Sequence, residues 1–426
     1  MTVKTSVPRV LMLDGGVPGR QTAGGVMLGD FCRYYPKGYL SWFCFYNSQD
    51  RHFMPDPDLI SDDLNWVTTV ISQRPQQEAI HIPGRLLNRF YLLRYLRSLL
   101  AFFWHRYIRW FVVPQLVDQA VKFGRQQGVE IVLAVLNDPV IIYMATKVAA
   151  TLQVPLVTNV QDPPERFVLD YGLDRFTRRM LLADFAHALQ FSLRCSTASE
   201  GMQAAYKQQY GVDSGVLMLS VNSNQWQPPA RYRQSGEFVI GFAGNLYADQ
   251  EWTALLEALS SVGWCIGGRE IKIRVLSAHL NLRGTNKMHI EYMGWRSVDE
   301  TLSLLAQTDV DYLPYWSDKD RELFVRQCFP SKLSTYLAAG RPVFYHGPEY
   351  ASIAGFLQRY PAGYSCYSLE PAQIVDGLKK LITDEQYFVD AVQAGQRALK
   401  NELNLEVFLG RFATLLGVNF DQLMPV

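Results

Sequence analysis

The chain of 426 residues has few of the features that mark a disulfide scaffold or a metal centre. Its six cysteines are scattered, no Cys-x-x-Cys pair occurs, and no two histidines stand at the spacing of metal ligands. Extracellular scaffolds and zinc modules depend on such spacings. We therefore expect free, buried cysteines and predict neither a disulfide framework nor a zinc site.

Long apolar runs and a strong net charge are also missing. No run of about 18 apolar residues suggests a membrane span, and the polar residues 1–9 lead directly into a strand, so no signal peptide is expected. The formal net charge is +1, which gives no general attraction to nucleic acid. These absences predict a cytosolic protein that does not bind nucleic acid.

The glycine-rich segment 15–25 lacks two common nucleotide-binding fingerprints. The spacing Gly-x-Gly-x-x-Gly and the sequence Gly-Lys-Ser/Thr are both absent from it. The segment follows a predicted strand at residues 10–13 and precedes a helix that we expect from Val26 onward. It is either a backbone that approaches a ligand closely or a merely flexible loop.

Length and pattern favour two α/β domains. A chain of 426 residues exceeds what one hydrophobic core usually serves. Short β-rich runs alternate with helical stretches in both halves, which is typical of parallel sheets with helices on both faces. The polar residues 221–236, which include Pro228 and Pro229, look like a linker between the domains. A second strand–helix series then begins with the predicted strand 238–243.

The most informative segment spans residues 329–346. Phe329-Pro330-Ser331-Lys332-Leu333 reads as a loop entering a short helix, which Gly340 ends before a buried strand at 343–346. The first turn of a helix has free backbone amides and a positive dipole, and Ser331 and Lys332 add a hydroxyl and a cation. The segment therefore suits a diphosphate. The alternative is a purely structural turn, because Gly-x-Pro-Val is also common between a helix and a strand in other α/β domains.

This frame, which continues as Ala-Ala-Gly-Arg-Pro-Val at residues 338–343, resembles the nucleotide-sugar half of GT-B glycosyltransferases. It is most similar to the retaining family 4 enzymes of bacterial polysaccharide assembly. The resemblance implies an α/β fold of the GT-B type, with two Rossmann-like, doubly wound domains facing a cleft. It places residues 1–225 in an acceptor domain, which the terminal helix at about 404–426 rejoins, and residues 226–403 in the domain that binds the nucleotide sugar.

Two further segments fall in the order that the resemblance requires. The strand 238–243 runs into a glycine turn, which in the family lies beneath the diphosphate, and the segment 290–296 follows as the one that cradles the nucleobase. A plain strand-to-helix turn and core aromatics are the competing interpretations. The implied residues for binding the nucleotide sugar are Gly24, Gly244, Asn245, Tyr292, Arg296, Arg326, Gln327, Ser331, Lys332 and Thr335.

The chain departs from the family at three points. Many relatives carry glutamates where this chain has Gln327 and Thr335, so we expect ribose and sugar to be held differently. The turn after Gly244 also lacks the arginine and lysine that many relatives use to neutralise the diphosphate. Lys332 and Arg326 are our candidates for that role, and the alternative is that both are solvated surface charges.

The resemblance implies catalytic roles for Gly25, Asp162 and Lys332. Glycine pairs after the first strand approach the phosphates of the nucleotide sugar in relatives, and Gly24 and Gly25 fit this position best. Asp162 lies in Asn159-Val160-Gln161-Asp162-Pro163, after a predicted strand, where several relatives have an Asp-x-x-Pro-Glu sequence that is one residue longer than the sequence here. It would position or deprotonate the acceptor hydroxyl, or else merely cap a helix.

Basic and aromatic residues are mixed in segment 84–125, which contains eight arginines or lysines and one acid, Asp118. This mixture suits the surface of a bilayer, where a lipid-linked acceptor would be presented. The alternative is that the aromatics pack a core and the arginines cover its outer face. No nucleic-acid-binding motif accompanies the basic residues.

Together these features predict a glycosyltransferase that moves a sugar from a nucleotide diphosphate to a hydroxyl of a glycan or a lipid-linked acceptor. The resemblance implies retention of configuration, no cofactor, no obligatory metal and a cytoplasmic or peripheral membrane location. A nucleotide-sugar 2-epimerase of the same fold and an inactive binding scaffold remain as alternatives. The base, the sugar, the acceptor and the oligomeric state do not follow from the sequence.

Overall fold

The computed structural model describes residues 7–16, 23–46, 65–70, 99, 102–165, 173–277 and 288–423. The chain divides into two compact units, Met1–Leu217 with Leu409–Val426, and Met218–Phe408. These bounds lie a few residues from the predicted domain limits at 225 and 404. In the first unit Phe412 of the terminal segment stacks on Phe31, with ring centroids 3.8 Å apart.

The first unit is built on a parallel sheet of seven strands in the order β3-β2-β1-β4-β5-β6-β7. All residues of β1, β4 and β5 are buried, as expected of central parallel strands that are covered on both faces. The strands are β1 Val10–Asp14, β2 Leu40–Tyr46, β3 Asn65–Val70, β4 Ile131–Val135, β5 Leu156–Val160, β6 Arg194–Thr197 and β7 Ser214–Val216.

Helices connect these strands and have ordinary end signals. Asp138 accepts a hydrogen bond from Val140 N at the start of α3, and Gly128, with φ +61°, ends α2. A π-helix, Ile108–Val112, leads into α2. The α-helices are α1 Ala23–Tyr34, α2 Val113–Gln127, α3 Pro139–Leu152, α4 Arg175–Phe191 and α5 Glu200–Tyr210.

The predicted start of α1 at Val26 was wrong. The helix begins at Ala23, so Gly24 and Gly25 lie in its first turn rather than in a loop before it. Glycine destabilises a helix when it lies in the interior. The backbone amides of the first turn have no partner within the helix, so a glycine in the first turn destabilises the helix less than one in the middle.

The second unit also contains a sheet of parallel strands, with strand β8 near its centre. Its parallel strands have the order β11-β10-β8-β12-β13-β14, and the short β9 pairs antiparallel with β10. The strands are β8 Phe238–Ala243, β9 Cys265–Ile266, β10 Arg269–Leu276, β11 Ile290–Tyr292, β12 Val310–Pro314, β13 Val343–His346 and β14 Gly363–Cys366. The predicted strands at 238–243 and 343–346 are confirmed.

In the second unit, as in the first, helices connect the strands. A capping box, in which Ser297 and Glu300 exchange hydrogen bonds, starts α7. The helices are α6 Asp249–Ser261, α7 Val298–Leu305, α8 Glu322–Gln327, α9 Lys332–Ala338, α10 Ser352–Arg359, α11 Pro371–Thr383 and α12 Glu385–Glu402. The last helix, α13 Leu405–Leu416, crosses the boundary at Phe408, so its later part belongs to the first unit. Among the described residues, none of the helices is long and apolar enough to cross a bilayer.

The segment 221–236, which we expected to link the domains, packs against the end of helix α9. Gln227 N donates to Ala338 O and Ala230 N donates to Gly340 O, so the prolines of the linker lie against the end of α9. Gly340 has φ +77°, and a Cβ there would stand 2.5 Å from Pro228 O. Glycine is required at this position both by the backbone angle and by the approach of the linker.

Each sheet has a point at which its winding reverses. Strand β1 lies between β2 and β4, and strand β8 lies between β10 and β12, so consecutive connections leave in opposite directions from β1 and from β8. The carboxyl ends of the strands at such a switch point are where open α/β sheets bind ligands. The chain therefore offers two places to look for a site, at the ends of β1 and β4 and at the ends of β8 and β12.

Candidate functional site

Lys332 and the glycine turn after β8 meet at the switch point of the second sheet. Gly244 follows β8 with φ +87°, and its amide donates to Leu276 O. Lys332 begins α9, and its Nζ donates to Asn245 O at 2.6 Å. A Cβ on Gly244 would stand 3.1 Å from Lys332 Cε. Glycine thus provides the positive backbone angle and also leaves room for the lysine side chain.

The position of Lys332 is fixed by the next turn of its helix. Tyr336, four residues later and fully buried, lies with its hydroxyl 3.0 Å from Ala243 N and 3.3 Å from Ala243 O. Residues four apart lie on one face of a helix, so the Tyr336 contact with the end of β8 holds Lys332 above the glycine turn. The first part of α9 is therefore joined to β8 by two side chains.

The amine of Lys332 lacks an opposite charge to stabilise its protonated form. Among the described carboxylates none forms an ion pair with it, and its Nζ lies 4.0 Å from the ring centroid of Tyr247 and 5.3 Å from that of Phe242. The side chain is half-buried, and the loss of hydration lowers the pKa of Lys332 to about 7. An anion placed here would favour the protonated lysine and raise its pKa.

An aromatic group borders this lysine, and sequence reasoning missed it. Tyr247 and Trp316 have ring centroids 4.4 Å apart, and the Trp316 indole N–H donates to Tyr247 O. Buried Glu251 holds the same loop, because its Oε1 accepts from Ser317 N at 2.7 Å. The place of Trp316 in the sequence could have indicated this group, since Trp316 lies two residues after the end of β12.

The other predicted residues of α8 and α9 have mixed surroundings. Ser331 stands at the start of α9 without a side-chain capping hydrogen bond, and Thr335 is half-buried one turn later. Gln327 is buried at the end of α8. Arg326 is exposed, pairs with Glu322 at 2.7 Å and lies over the ring of Tyr350 at 4.5 Å. The structure therefore places Lys332, and not Arg326, at the glycine turn.

Tyr292 and Arg296 lie at the same carboxyl edge of the second sheet, at strand β11, two strands from β8. The Tyr292 hydroxyl donates to Ser277 O at 2.7 Å, which ties the ends of β11 and β10 together. Arg296 donates to Trp295 O at 2.8 Å, and Trp295 itself is 71% exposed. An exposed indole beside a glycine turn has a free face for stacking.

In the first unit the predicted residues stand at the carboxyl edge of the sheet. Asp162 is half-buried and follows β5 by two residues, and Gly25 is half-buried in the first turn of α1. Asp14, at the end of β1, was not predicted. Its Oδ1 accepts from Asn137 Nδ2 at 2.6 Å and from Gly16 N at 3.2 Å. Burial raises the pKa of Asp14 to about 6.

Within the described part of the chain, no group of three or more His, Cys, Asp or Glu side chains is arranged to hold a metal ion. The donors that the site in the second unit does offer are backbone amides, one lysine and hydroxyls, and these groups suit an anion.

No family model matches the chain. No curated protein matches it either. Several solved structures are similar to the chain. The HepE protein of Anabaena, determined in complex with UDP and glucose, is 14% identical, with a TM-score of 0.60 over 96% of this chain and 99% of that one. Sucrose-phosphate synthase of Thermosynechococcus elongatus is 9% identical, with a TM-score of 0.63 over 95% and 97%.

A glycosyltransferase of Rickettsia africae is 12% identical, with a TM-score of 0.59 over 96% of this chain and 97% of that one. At these identities the likeness shows the fold. The chain has the α/β architecture with parallel sheets that is found in GT-B glycosyltransferases.

Proposed function

We propose that the chain is a glycosyltransferase that binds a nucleotide-diphosphate sugar at the glycine turn of its second unit. One observation carries the proposal: Lys332, half-buried and without a carboxylate partner in the described chain, stands over Gly244 at the switch point of a GT-B-type sheet. HepE, a protein of similar fold, was determined with UDP and glucose. A linked pair of phosphates supplies the charge that this lysine lacks.

The chemistry assigned to the site is positioning and charge stabilisation. Protonated Lys332 and the first amides of α9 stabilise the negative charge that grows on the departing diphosphate. Gly244 allows the phosphates to approach the backbone closely. Thr335 and Gln327 take the hydrogen bonds to ribose and sugar that glutamates provide in many relatives. The reaction needs no obligatory metal in this scheme, and the anomeric configuration is retained.

The acceptor hydroxyl is assigned to the first unit. Asp162, half-buried at the carboxyl edge of the first sheet, orients or deprotonates the attacking hydroxyl, and the first turn of α1 at Gly25 contributes backbone amides. A glycan or a lipid-linked sugar is the acceptor class. The enzyme acts on the cytoplasmic side, as a peripheral membrane protein.

The described part of segment 84–125 supports the membrane contact. Phe103, Tyr107, Trp110 and Phe111 recur at helical spacing and are exposed, with Trp110 at 63%. Phe176 of α4 is 70% exposed and lies 6.5 Å from the ring of Phe102, so it extends the same surface, which we call the aromatic surface. Large exposed apolar patches mark interaction sites. Residues 84–98, 100 and 101 lie outside the described chain.

The first turns of α4 add positive charge beside the aromatic surface. Arg175, Arg178 and Arg179 are exposed there, next to Phe176 in the sequence. Aromatic rings at headgroup depth and arginines against anionic lipid each strengthen contact with a bilayer, the latter by about 1 kcal/mol per charge. The core alternative that the sequence left open does not account for the exposure of these rings.

Vesicle sedimentation tests the membrane contact. The double variant Trp110→Ser with Phe111→Ser is expected to lose binding to vesicles that contain phosphatidylglycerol. The matched control Trp295→Ser removes an equally exposed indole from the second unit and is expected to bind like the unchanged protein. Binding that does not respond to the double variant would count against the aromatic surface.

Release of free nucleotide from a panel of nucleotide sugars, with and without a lipid extract, tests the proposed reaction. A glycosyltransferase releases nucleotide faster when its acceptor is supplied. A 2-epimerase converts the sugar without an acceptor, and a scaffold binds nucleotide without turnover. Binding of no nucleoside diphosphate at all, in a thermal-shift screen of the full chain, would remove the proposal and the epimerase alternative, and would leave only a scaffold that binds a partner.

A further inference from the structure

A row of polar side chains crosses the carboxyl edge of the first sheet. Leu13 of β1 pairs with Ala134, so Asp14 stands beside Val135, which pairs with Asn159, which in turn pairs with Ser196. Residues in register on parallel strands point to the same face. We call Asp14, Asn159 and Ser196, together with Asn137, which hydrogen-bonds Asp14, the polar row.

The polar row lies on the face opposite the larger core of the unit. Leu13, Val160 and Cys195, each a sequence neighbour of a polar-row residue, belong to the hydrophobic cluster under the other face. Asp14, Asn159 and Ser196 are at most 4% exposed. Polar side chains in such a position must be paired or must meet a ligand, because burying them without hydrogen bonds is costly.

Pairing within the polar row is incomplete. Asn159 Nδ2 donates to Ser196 Oγ at 2.8 Å, but Asn159 Oδ1 is buried and has no partner among the described residues. Gln161, two residues further along the chain, likewise has a buried Nε2 without a partner there. The pair offers one free acceptor and one free donor at the end of β5. A hydroxyl can donate to the amide oxygen and accept from the amide nitrogen.

The chemistry of the polar row disfavours an anion. Its members are two amides, a hydroxyl and a carboxyl group, and none is a cation. Asn137 is held on both sides, since its Oδ1 accepts from Gly15 N at 3.3 Å while its amide donates to Asp14. Asp138, the next residue, is engaged as the cap of α3. Acidic groups repel phosphates and carboxylates, whereas neutral hydroxyls match amides and carboxyls.

We propose that the polar row, with Gln161, binds hydroxyl groups of a neutral saccharide at the switch point of the first sheet. This inference rests on the proposed glycosyl transfer and names its acceptor class: the sugar that receives the new bond is uncharged. Asn159 and Gln161 are binding residues for it, and Asp14 and Asn137 shape the far end of the same row.

Saturation-transfer NMR on the full chain tests the inference. The probes are the methyl glycosides of glucose, galactose and mannose, together with methyl glucuronide and glucose 6-phosphate as anionic counterparts. We expect transfer to at least one neutral glycoside and none to the anions. In Gln161→Ala the affinity for that glycoside should fall about fivefold or more, the size expected when one ligand hydrogen bond is lost. Asn159→Asp, which replaces the amide donor to Ser196 with an acceptor, should weaken the binding as well.

Two controls keep the result interpretable. Asn224→Asp adds the same charge at an exposed position of the second unit and should leave the glycoside signal unchanged. UDP-induced thermal shifts in the same samples show that each variant is folded. Gln161→Ala changes a half-buried side chain outside the strands, so it remains informative if Asn159→Asp fails to fold.

The outcomes separate the two proposals. A lost glycoside signal with an unchanged UDP shift supports the polar row as the saccharide site. Anions that bind as well as neutral glycosides, an unchanged signal in Gln161→Ala, or no signal from any neutral glycoside would overturn it. A UDP shift that is absent from the unchanged protein overturns the proposed transfer reaction, and the glycoside result still stands for binding.

Discussion

The two sheets of this protein have the same topology at their switch points and opposite chemistry. The end of β8 meets a lysine and a glycine with φ +87°, and the end of β1 meets a buried carboxyl group and amides. The backbone offers similar places in both sheets, since each is a doubly wound parallel sheet with helices that start beside the strand ends. The difference therefore lies in the side chains, and we propose that it suits one end to phosphates and the other to hydroxyls.

Under the proposed function, this contrast lets one fold bind the two substrates of a transfer reaction. A cation that has lost hydration is stabilised by an anion, and an unpaired amide is stabilised by a neutral hydroxyl. The end of the second sheet lacks an anion for its lysine, and the end of the first sheet lacks a partner for its amide. We therefore expect a different ligand at each end. Variants that exchange or remove these groups should therefore affect one ligand and leave the other unaffected.

Replacement of Lys332 should cause the largest change in the affinity for nucleotide. Lys332→Ala is expected to weaken the binding of UDP about tenfold to a hundredfold, because a hydrogen bond between charged groups contributes about 1.5–3 kcal/mol. The matched control is Arg326→Ala. Arg326 is exposed and already paired with Glu322, so its loss should change the affinity less than about twofold. Titration calorimetry measures both.

Equal losses in the two variants would mean that the diphosphate lies between α8 and α9 rather than at the glycine turn. An unchanged affinity in Lys332→Ala would remove the lysine from the site. In either case the binding of neutral glycosides by the first unit should stay as it is in the unchanged protein.

The affinity for nucleotide sugar should also depend on pH. Desolvation lowers the pKa of Lys332 to about 7, so in the free protein the lysine is protonated below that pH and neutral above it. A bound diphosphate favours the protonated form and raises the pKa, so binding takes up a proton. The affinity for UDP-glucose should be about fivefold to tenfold weaker at pH 8 than at pH 6, since each unit above the pKa removes about tenfold of the protonated fraction.

UDP-glucose is the right probe for this measurement because its diphosphate is a diester and does not titrate in that range. In Lys332→Arg the dependence should disappear, since a guanidinium stays charged throughout. A profile that is flat in the unchanged protein would show that the lysine is already protonated at pH 8.

Gly244→Ala should have a smaller effect on binding, about threefold, because a Cβ 3.1 Å from Lys332 Cε forces the flexible lysine to shift rather than to leave. Gly236→Ala is the matched control. Gly236 has φ +85° and nothing within 4 Å of its added Cβ, so both variants bear similar backbone strain of about 1–2 kcal/mol. Similar losses of Tm with weaker UDP binding only in Gly244→Ala would isolate the contact with the lysine. Weaker binding in both would attribute the effect to strain.

The fold could be predicted from the sequence because its signals are local. Buried runs such as 238–243 and 343–346 have the length and composition of central parallel strands, and the structure confirms them. The segment 221–236 was predicted as a linker, but its packing against the end of α9 was not predicted, because proline and polar residues look the same in a loop that packs against a helix end. The start of α1 was missed since glycine is a weak helix former and the first turn tolerates it.

The candidate site was only partly visible in the sequence. Lys332 stood out because it begins a helix in a recognisable frame, and the structure adds that it reaches Asn245. The Tyr247–Trp316 pair and the Asp14–Asn137 pair join residues far apart in the chain, and no spacing rule reports such contacts. Arg326 was a candidate by charge alone, and its pairing with Glu322 depends on a helical turn that charge does not reveal.

Buried carboxyl groups give the last and smallest contrast between the sheets. Burial raises the pKa of Asp311, in β12, to about 8, and that of Asp14 to about 6, both from 3.8. Asp311 Oδ1 accepts from Thr308 Oγ1 at 2.9 Å, while its Oδ2 has no partner among the described residues. Each group keeps its proton in the folded state at a pH where the unfolded chain has lost it.

The raised pKa values determine whether stability rises or falls with pH. Between pH 3.8 and the folded-state pKa the folded protein binds more protons, so stability is greatest at low pH and falls as pH rises, up to about pH 8 for Asp311 and about pH 6 for Asp14. Asp311→Asn should therefore reduce the loss of Tm between pH 5 and pH 8 by on the order of a few °C. Asp14→Asn should change the melting profile only below about pH 6. Identical profiles for the two variants, recorded by scanning calorimetry of the full chain, would show that the two carboxyl groups do not differ in desolvation.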